Sequence, residues 1–137
     1  MSDTREWPRI AVVGAGAVGG YFGGMFARAG APTVFIGRKH FADAVNAKGL
    51  ILDRLHGQDR IRATATVEMS GVRDCPVILF CVKANDTSAA ATQMAPFVRP
   101  DATVVCLQNG VDNADQVRAA ANVAAVPAAV YVAVSVP

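Results

Sequence analysis

The stretch Ile10-Ala-Val-Val-Gly-Ala-Gly-Ala-Val-Gly-Gly20 decides the fold. An apolar run from Ile10 to Val13 leads directly into Gly14, Ala15, Gly16, Ala17, Val18 and Gly19, which is G-x-G-x-x-G set between a strand-like and a helix-like segment. Gly14 suits the tight turn off the strand. Gly16, lacking a Cβ, lets a pyrophosphate come close to the backbone, and Gly19 lets the helix pack tightly on the strand. The free N–H groups at the helix start and the positive end of its dipole both favour a phosphate there. The stretch therefore predicts dinucleotide binding through Gly14, Ala15, Gly16, Ala17, Val18 and Gly19. The competing reading is a glycine-rich turn that binds nothing.

Working outward, residues 9–13 read as the first strand and 17–29 as the first helix, with Val18, Phe22, Met25 and Ala29 as the stripe that faces a sheet. Gly20, Gly23 and Gly24 each cost that helix up to about 1 kcal/mol against alanine. Close approach to the sheet or to a cofactor is the expected compensation. Gly30 and Pro32 end the helix. A second strand at 33–36 stops at Gly37-Arg38-Lys39, and a helix follows at 41–48. Residues 50–52 and 61–66 read as two short strands joined as a hairpin across a polar turn at 56–59, and 67–74 as holding a helical turn.

The run 77–82 is apolar on both faces, as a central parallel strand should be. Asp86 or Thr87 can cap a helix to about Phe97, and Asp112 one to about Ala121. Residues 103–107 read as a buried strand ended by Gln108-Asn109-Gly110, and 123–126 and 128–134 as the last strands. Strands and helices alternate throughout, so the fold class is α/β, a Rossmann-like doubly wound and mostly parallel sheet, with residues 1–137 as one dinucleotide-binding domain.

Composition narrows the function. A chain of 137 residues that is 53% hydrophobic and 18% charged suits one domain with a buried sheet and argues against disorder. The net charge of +2 is small and the basic residues are scattered along the chain, so nucleic acid is not an expected partner. No apolar run approaches the roughly 18 residues of a membrane span, and the polar N-terminus carries no secretory pattern. Cys75, Cys81 and Cys106 lack C-x-x-C spacing and read as free thiols of a cytoplasmic protein. His40 and His56 have no ligand partners at useful spacing, so no metal is expected.

The cofactor type is read at the end of the second strand. An NAD-binding version of this fold places an acidic residue about 20 residues past the glycines, for the ribose 2′-OH. Here that place holds Gly37, Arg38 and Lys39. A guanidinium can hold a 2′-phosphate with two hydrogen bonds, so the reading is NADP(H). A solvated helix start is the alternative, weakened because a cationic pair is unfavourable at a helix N-terminus. Ligands of open α/β sheets lie beyond the carboxyl ends of the strands. Two polar features share that address: Lys83 after residues 77–82, and Asn109 within Gln108-Asn109-Gly110. Both are candidates for the nicotinamide end of the cofactor and for substrate. A surface lysine and an ordinary Asn-Gly turn are the alternatives.

At these residues the chain resembles the ketopantoate reductases (2-dehydropantoate 2-reductases), over nearly its whole length. The resemblance rests on Gly14 to Gly19, Arg38, Val82-Lys83 and Leu107-Gln-Asn-Gly110. It implies NADPH-dependent reduction of 2-dehydropantoate, a small 2-oxo acid, to (R)-pantoate in pantothenate and coenzyme A synthesis. Gly14 to Gly19 would hold the pyrophosphate and Arg38 the 2′-phosphate. Lys83 and Asn109 would line the nicotinamide end, with Asn109 also near substrate and the backbone near Ala133 and Val134 as a further cofactor contact. It also implies a second, helical domain that supplies a catalytic lysine. No lysine follows Lys83, so the catalytic lysine is expected beyond Pro137, and the segment alone is expected to turn over nothing. Oligomeric state is left open. Two alternatives stand beside this: an NADP-linked dehydrogenase of another 2-oxo or 3-hydroxy acid, and a non-catalytic nucleotide-sensing module.

Overall fold

The computed structural model describes residues 6–54, 57–108 and 112–128, without the side chain of residue 54. The run Ile10–Val13 forms strand β1, buried on both faces. It lies at the middle of a six-stranded sheet with Thr33–Ile36 (β2) and Thr64–Thr66 (β5) on one side. On the other side lie Val77–Phe80 (β6), Thr103–Cys106 (β7) and Ala124–Pro127 (β8). The order β5-β2-β1-β6-β7-β8 reverses direction between β1 and β6, and every pairing in this sheet is parallel. This is the doubly wound Rossmann arrangement, whose ligand crevice opens where the strand order reverses. The registers Ile10↔Thr33, Ile10↔Val77, Val77↔Thr103 and Thr103↔Ala124 keep these strands level. Val13, Ile36, Phe80, Cys106 and Pro127 therefore end along one edge.

Period-two alternation divides the core. Ala11, Val13, Ile78 and Phe80 point into one layer, covered by helices Thr87–Met94 (α3) and Asn113–Ala121 (α4) through Ala91, Met94, Ala114 and Val117. Ile10, Val12, Phe35 and Leu79 point into the other. That layer is covered by helices Ala17–Arg28 (α1) and Lys39–Lys48 (α2) and by an antiparallel hairpin, Leu50–Arg54 (β3) with Gly57–Ile61 (β4).

Four expectations change. Residues 61–66 are not one strand: Ile61 closes the hairpin opposite Leu50, while Thr64–Thr66 leave it and pair parallel with β2. Residues 57–59 of the polar run 56–59 are not in the turn either, and residue 56 lies outside the described residues. Gly57, Gln58 and Asp59 are strand residues, and their polarity reflects a largely exposed strand whose side chains find partners on β3 and α1. Gln58 Nε2 donates to Asp53 Oδ1 at 3.2 Å, and Arg28 pairs with Asp59 at 3.1 Å. The stripe expected on α1 is displaced as well: the buried positions are Gly19, Gly23 and Gly24, with Val18, Phe22 and Met25 half-buried and Ala29 exposed. Finally, Asp86 and Asp112 stand at the N-cap positions of α3 and α4, but neither side chain caps its helix.

The remaining boundaries move little. α2 starts at Lys39, where Lys39 and Asp43 pair across one turn. α3 stops at Met94 and a 3-10 turn at Ala95–Phe97 completes the segment. The last strand among the described residues is Ala124–Pro127, extended by a bond from Ala128 N to Cys106 O. Residues 129–134 lie outside the described residues.

Candidate cofactor site

The glycine loop occupies the crevice where the strand order reverses. Gly14 takes φ +87°, a left-handed conformation that favours glycine. Its N–H donates to Ile36 O at 3.1 Å, which ties the turn to β2. A Cβ on Gly14 would stand 2.6 Å from Val82 N, so the loop also lies against the chain leaving β6. A Cβ on Gly19 would stand 2.7 Å from Gly14 O and 3.1 Å from Val12 Cγ1. Gly19 thus allows the helix to close on the strand, and Gly23 does the same one turn on, against Phe35 and Val12. Gly24 faces a different neighbour, Leu50 and Leu52 of the hairpin.

Gly16 differs from the others. It is the N-cap of α1, it is exposed, and nothing lies within 4 Å of where its Cβ would be. Among the described residues nothing requires a glycine there, and the space beside it opens toward the N-terminus of a 12-residue helix. Absence of a side chain at that position leaves room for an anion to reach the backbone N–H groups.

Gly14, Ala15 and Gly16 line a cleft of about 630 Å³ together with Gly37, Arg38, His40, Phe41, Cys81, Val82, Lys83 and Asp86. One wall comes from the end of β2 and the start of α2, the other from the chain after β6. Arg38 is exposed at the N-cap of α2; its carbonyl accepts from Ala42 N at 2.9 Å, and its side chain has no hydrogen bond or ion pair among the described residues. Its neighbour Lys39 is engaged with Asp43 at 2.6 Å, and that bond and charge raise the lysine pKa. The two cations are thus not equivalent: Arg38 lines the cleft and Lys39 does not. Phe41 supplies an apolar wall, its ring set edge-on to Phe35 with centroids 6.0 Å apart. Burial, with Cys106 adding to it, pushes the Cys81 thiol up to about 12, so the floor of the cleft is uncharged there.

The structure places Gly14, Ala15, Gly16, Arg38 and Lys83 around one cleft. Ala17 and Val18 form the first turn of α1, and Gly19 is buried beneath it. Asn109, Ala133 and Val134 lie outside the described residues. Sequence reasoning misses His40, Phe41 and Asp86 as cleft residues; their closeness in sequence to Arg38 and Lys83 is the available signal. It also misses a polar cluster behind the cleft. Gln108 Nε2 donates to Val82 O at 2.9 Å and to Thr87 Oγ1 at 2.7 Å, and Thr87 Oγ1 donates to Asn113 Oδ1 at 3.1 Å. Thr87 and Asn113 are buried, at 0% and 5% exposure, so these bonds satisfy groups that water does not reach.

At the opposite edge of the sheet, a groove of about 750 Å³ runs past Thr33 and Thr64, where β2 and β5 begin. Lys48, Arg60 and Arg62 rim it, with no acidic residue in its lining. Three of the 13 Lys and Arg residues meet at this groove, while Arg38 and Lys83 line the glycine-loop cleft and others, such as Arg99 and Arg118, lie elsewhere. Among the described residues no cluster of His, Cys, Asp and Glu could hold a metal ion, and no helix is long and apolar enough to cross a membrane.

The profile of a family described as Ketopantoate reductase PanE/ApbA matches residues 10–136. The chain belongs to the ketopantoate reductase family. It is 32% identical over 109 residues to the 2-dehydropantoate 2-reductase of Pyrococcus horikoshii, covering 80% of this chain and 35% of that one. The crystal structure of a PanE/ApbA family ketopantoate reductase from Ralstonia eutropha superposes with a TM-score of 0.89 at 42% identity, covering 91% of this chain and 42% of that one. A D-mandelate dehydrogenase solved with NADH and anilino(oxo)acetate shares the fold at 24% identity and a TM-score of 0.73, over 82% of this chain and 37% of that one. The chain thus spans about a third of the length of the curated ketopantoate reductase it matches. By its description the family comprises reductases, a class of oxidoreductase.

Proposed function

We propose that the cleft binds NADP(H) and that the chain is the cofactor-holding part of an enzyme that reduces 2-dehydropantoate to (R)-pantoate. The observation that carries the choice of cofactor is Arg38. Among the described residues it is the unpaired cation at the carboxyl end of β2, in the same cleft as the glycine loop, and no acidic residue stands at that strand end. An arginine there offers a 2′-phosphate two parallel charge-assisted hydrogen bonds, each stronger than a neutral one. An NAD-type ribose would instead need a carboxylate acceptor.

The residues present fit the group. The open space beside Gly16 and the N–H groups of the first turn of α1 suit the pyrophosphate. Phe41 and His40 give the adenine end a partly apolar wall. Lys83, exposed on the opposite wall, is the cation nearest in sequence to the end of the central strand β6, and with Asn109 it is assigned to the nicotinamide end and the substrate. The bound nicotinamide supplies a hydride for the C2 carbonyl of the 2-oxo acid. The chain's own part is to fix the dinucleotide across the sheet edge and to hold a positive charge at Lys83, where it can attract the substrate carboxylate. The lysine that would protonate the developing alkoxide is assigned to residues after this segment.

The test is NADPH oxidation with 2-dehydropantoate, run beside a panel of other 2-oxo acids. The longer protein that contains this segment is expected to turn over 2-dehydropantoate in preference to the rest of the panel. The 137-residue chain alone is expected to bind the cofactor and turn over nothing. Preference for another 2-oxo acid would replace the substrate assignment, and turnover by the segment alone would remove the need for a second domain.

A further inference from the structure

We infer that Gln108 is the positioning residue that locks the Lys83 loop of the cleft to the end of β7 and to the start of α3. This rests on the NADP(H) reading of the cleft, and it concerns a side chain that reading does not use.

Gln108 follows β7 and directly precedes Asn109 in the sequence; Val82 follows β6 and directly precedes Lys83. Val82 and Gln108 thus stand after two adjacent parallel strands, and Lys83 follows the first of them. Within the ladder the strands are held by backbone bonds, the last of them from Leu107 N to Phe80 O at 3.0 Å. Past that point the Gln108 side chain is the link. Its Nε2 donates to Val82 O at 2.9 Å and to Thr87 Oγ1 at 2.7 Å. A carbonyl oxygen only accepts, so the bond to Val82 fixes which end of the amide faces it. Both amide hydrogens are then used. Oε1 is left buried with no partner among the described residues.

The second bond extends the lock. Thr87 is the first residue of α3 and is fully buried; its hydroxyl passes the link on to Asn113 Oδ1, at the start of α4. One amide therefore ties the Lys83 loop, the residue before Asn109 and the first turns of both helices on that face. Lys83 itself has no side-chain partner among the described residues, and its carbonyl receives a bond from Asp86 N at 2.8 Å. The backbone on either side of Lys83 is thus held, by Gln108 before it and by the Asp86 turn after it, while its ammonium stays free for a ligand. Holding a charged group by its backbone lowers the ordering cost that a ligand must otherwise meet.

The test compares two ligands on the 137-residue chain. NADPH reaches both ends of the cleft, whereas adenosine 2′,5′-bisphosphate reaches only the Gly16 and Arg38 end. Gln108→Glu keeps the shape but puts an acceptor against the Val82 carbonyl, and Gln108→Leu removes both bonds. Each is expected to weaken NADPH by about tenfold or more, the scale of a hydrogen bond lost from a buried partner, and to leave the bisphosphate within about twofold of wild type on the same reasoning. Thr87→Val is expected to weaken NADPH and spare the bisphosphate, with Thr87→Ser near wild type. Equal weakening of both ligands, or of neither, in the Gln108 variants overturns the inference. If the Gln108 variants do not fold, Thr87→Val against Thr87→Ser decides by the same comparison of the two ligands. Wild-type chain that binds neither ligand would instead overturn the cofactor reading itself.

Discussion

Gly14 and Gly16 separate what the loop needs in order to fold from what it needs in order to hold a ligand. Gly14 has a positive φ, and the backbone atoms Val82 N and Cys81 C lie within 3 Å of its missing Cβ, so its identity is a folding requirement. Gly16 has ordinary extended dihedrals and empty space around it. Serine is a preferred N-cap, since its hydroxyl accepts a bond from the first turn. Gly16→Ser is therefore expected to leave the melting temperature at or above wild type while NADPH affinity falls by roughly tenfold or more, because the hydroxymethyl group fills the approach to the helix N-terminus. Thermal melts and titration calorimetry on the same sample check this. The glycine spacing is fully legible in the sequence, but the difference in role between the two is not, because it depends on Val82, which is 68 residues away from Gly14 (82 − 14). Gln108 and Thr87 are legible only as a turn residue and a helix cap for the same reason: their partners are Val82 and Asn113, brought close by the crossover connections.

Element α1 shows how a helix can carry so many glycines. Its sheet-facing side is made of Gly19 and Gly23, with larger apolar residues set to the flanks. A Cβ on Gly23 would stand 2.6 Å from both Phe35 Cε1 and Val12 Cγ2. Gly23→Ala gains about 1 kcal/mol of helix propensity and loses about 1–3 kcal/mol to overpacking, so net destabilisation is expected. Gly20 has nothing within 4 Å of its Cβ position, and Gly20→Ala is expected to stabilise by up to about 1 kcal/mol. Urea unfolding of the pair checks both signs. The rule that the larger apolar residues face the core selects the stripe Val18, Phe22, Met25 and Ala29. That rule fails where the helix axis comes so close to the sheet that only glycine fits. The hairpin is hard to read from sequence for a related reason: Gln58 and Asp59 look like a turn until Asp53 and Arg28 are seen to partner them.

At the scale of the whole molecule, the alternation of strands and helices is enough to give the fold class, since right-handed crossovers leave few ways to assemble it. The level carboxyl ends of the strands then fix where a ligand lies. Burial holds the Cys81 thiol in its neutral form up to about 12, against an ordinary value of 9.0. The raised folded value makes stability fully present below pH 9 and lost as pH climbs from there toward about 12, because the unfolded chain releases that proton first. Cys75 and Cys106 are raised by burial too and add to the same slope. Cys81→Ala keeps the Cβ beside Gly19, and it is expected to flatten the decline in urea-unfolding stability between these limits relative to wild type. An identical slope would show that Cys81 titrates as freely when folded as when unfolded.

The most direct measurement is titration calorimetry of the chain with NADPH and with NADH, on wild type, Arg38→Ala and Lys39→Ala. The Arg38 side chain lines the cleft with no partner among the described residues, and Lys39 is tied to Asp43 outside it. Wild type is expected to bind NADPH more tightly than NADH. Arg38→Ala should reduce that preference by about tenfold to a hundredfold, the worth of charge-assisted hydrogen bonds to one phosphate, and Lys39→Ala should leave it unchanged. NADH binding as tight as NADPH in wild type, or a preference that survives Arg38→Ala, would contradict the NADP(H) assignment.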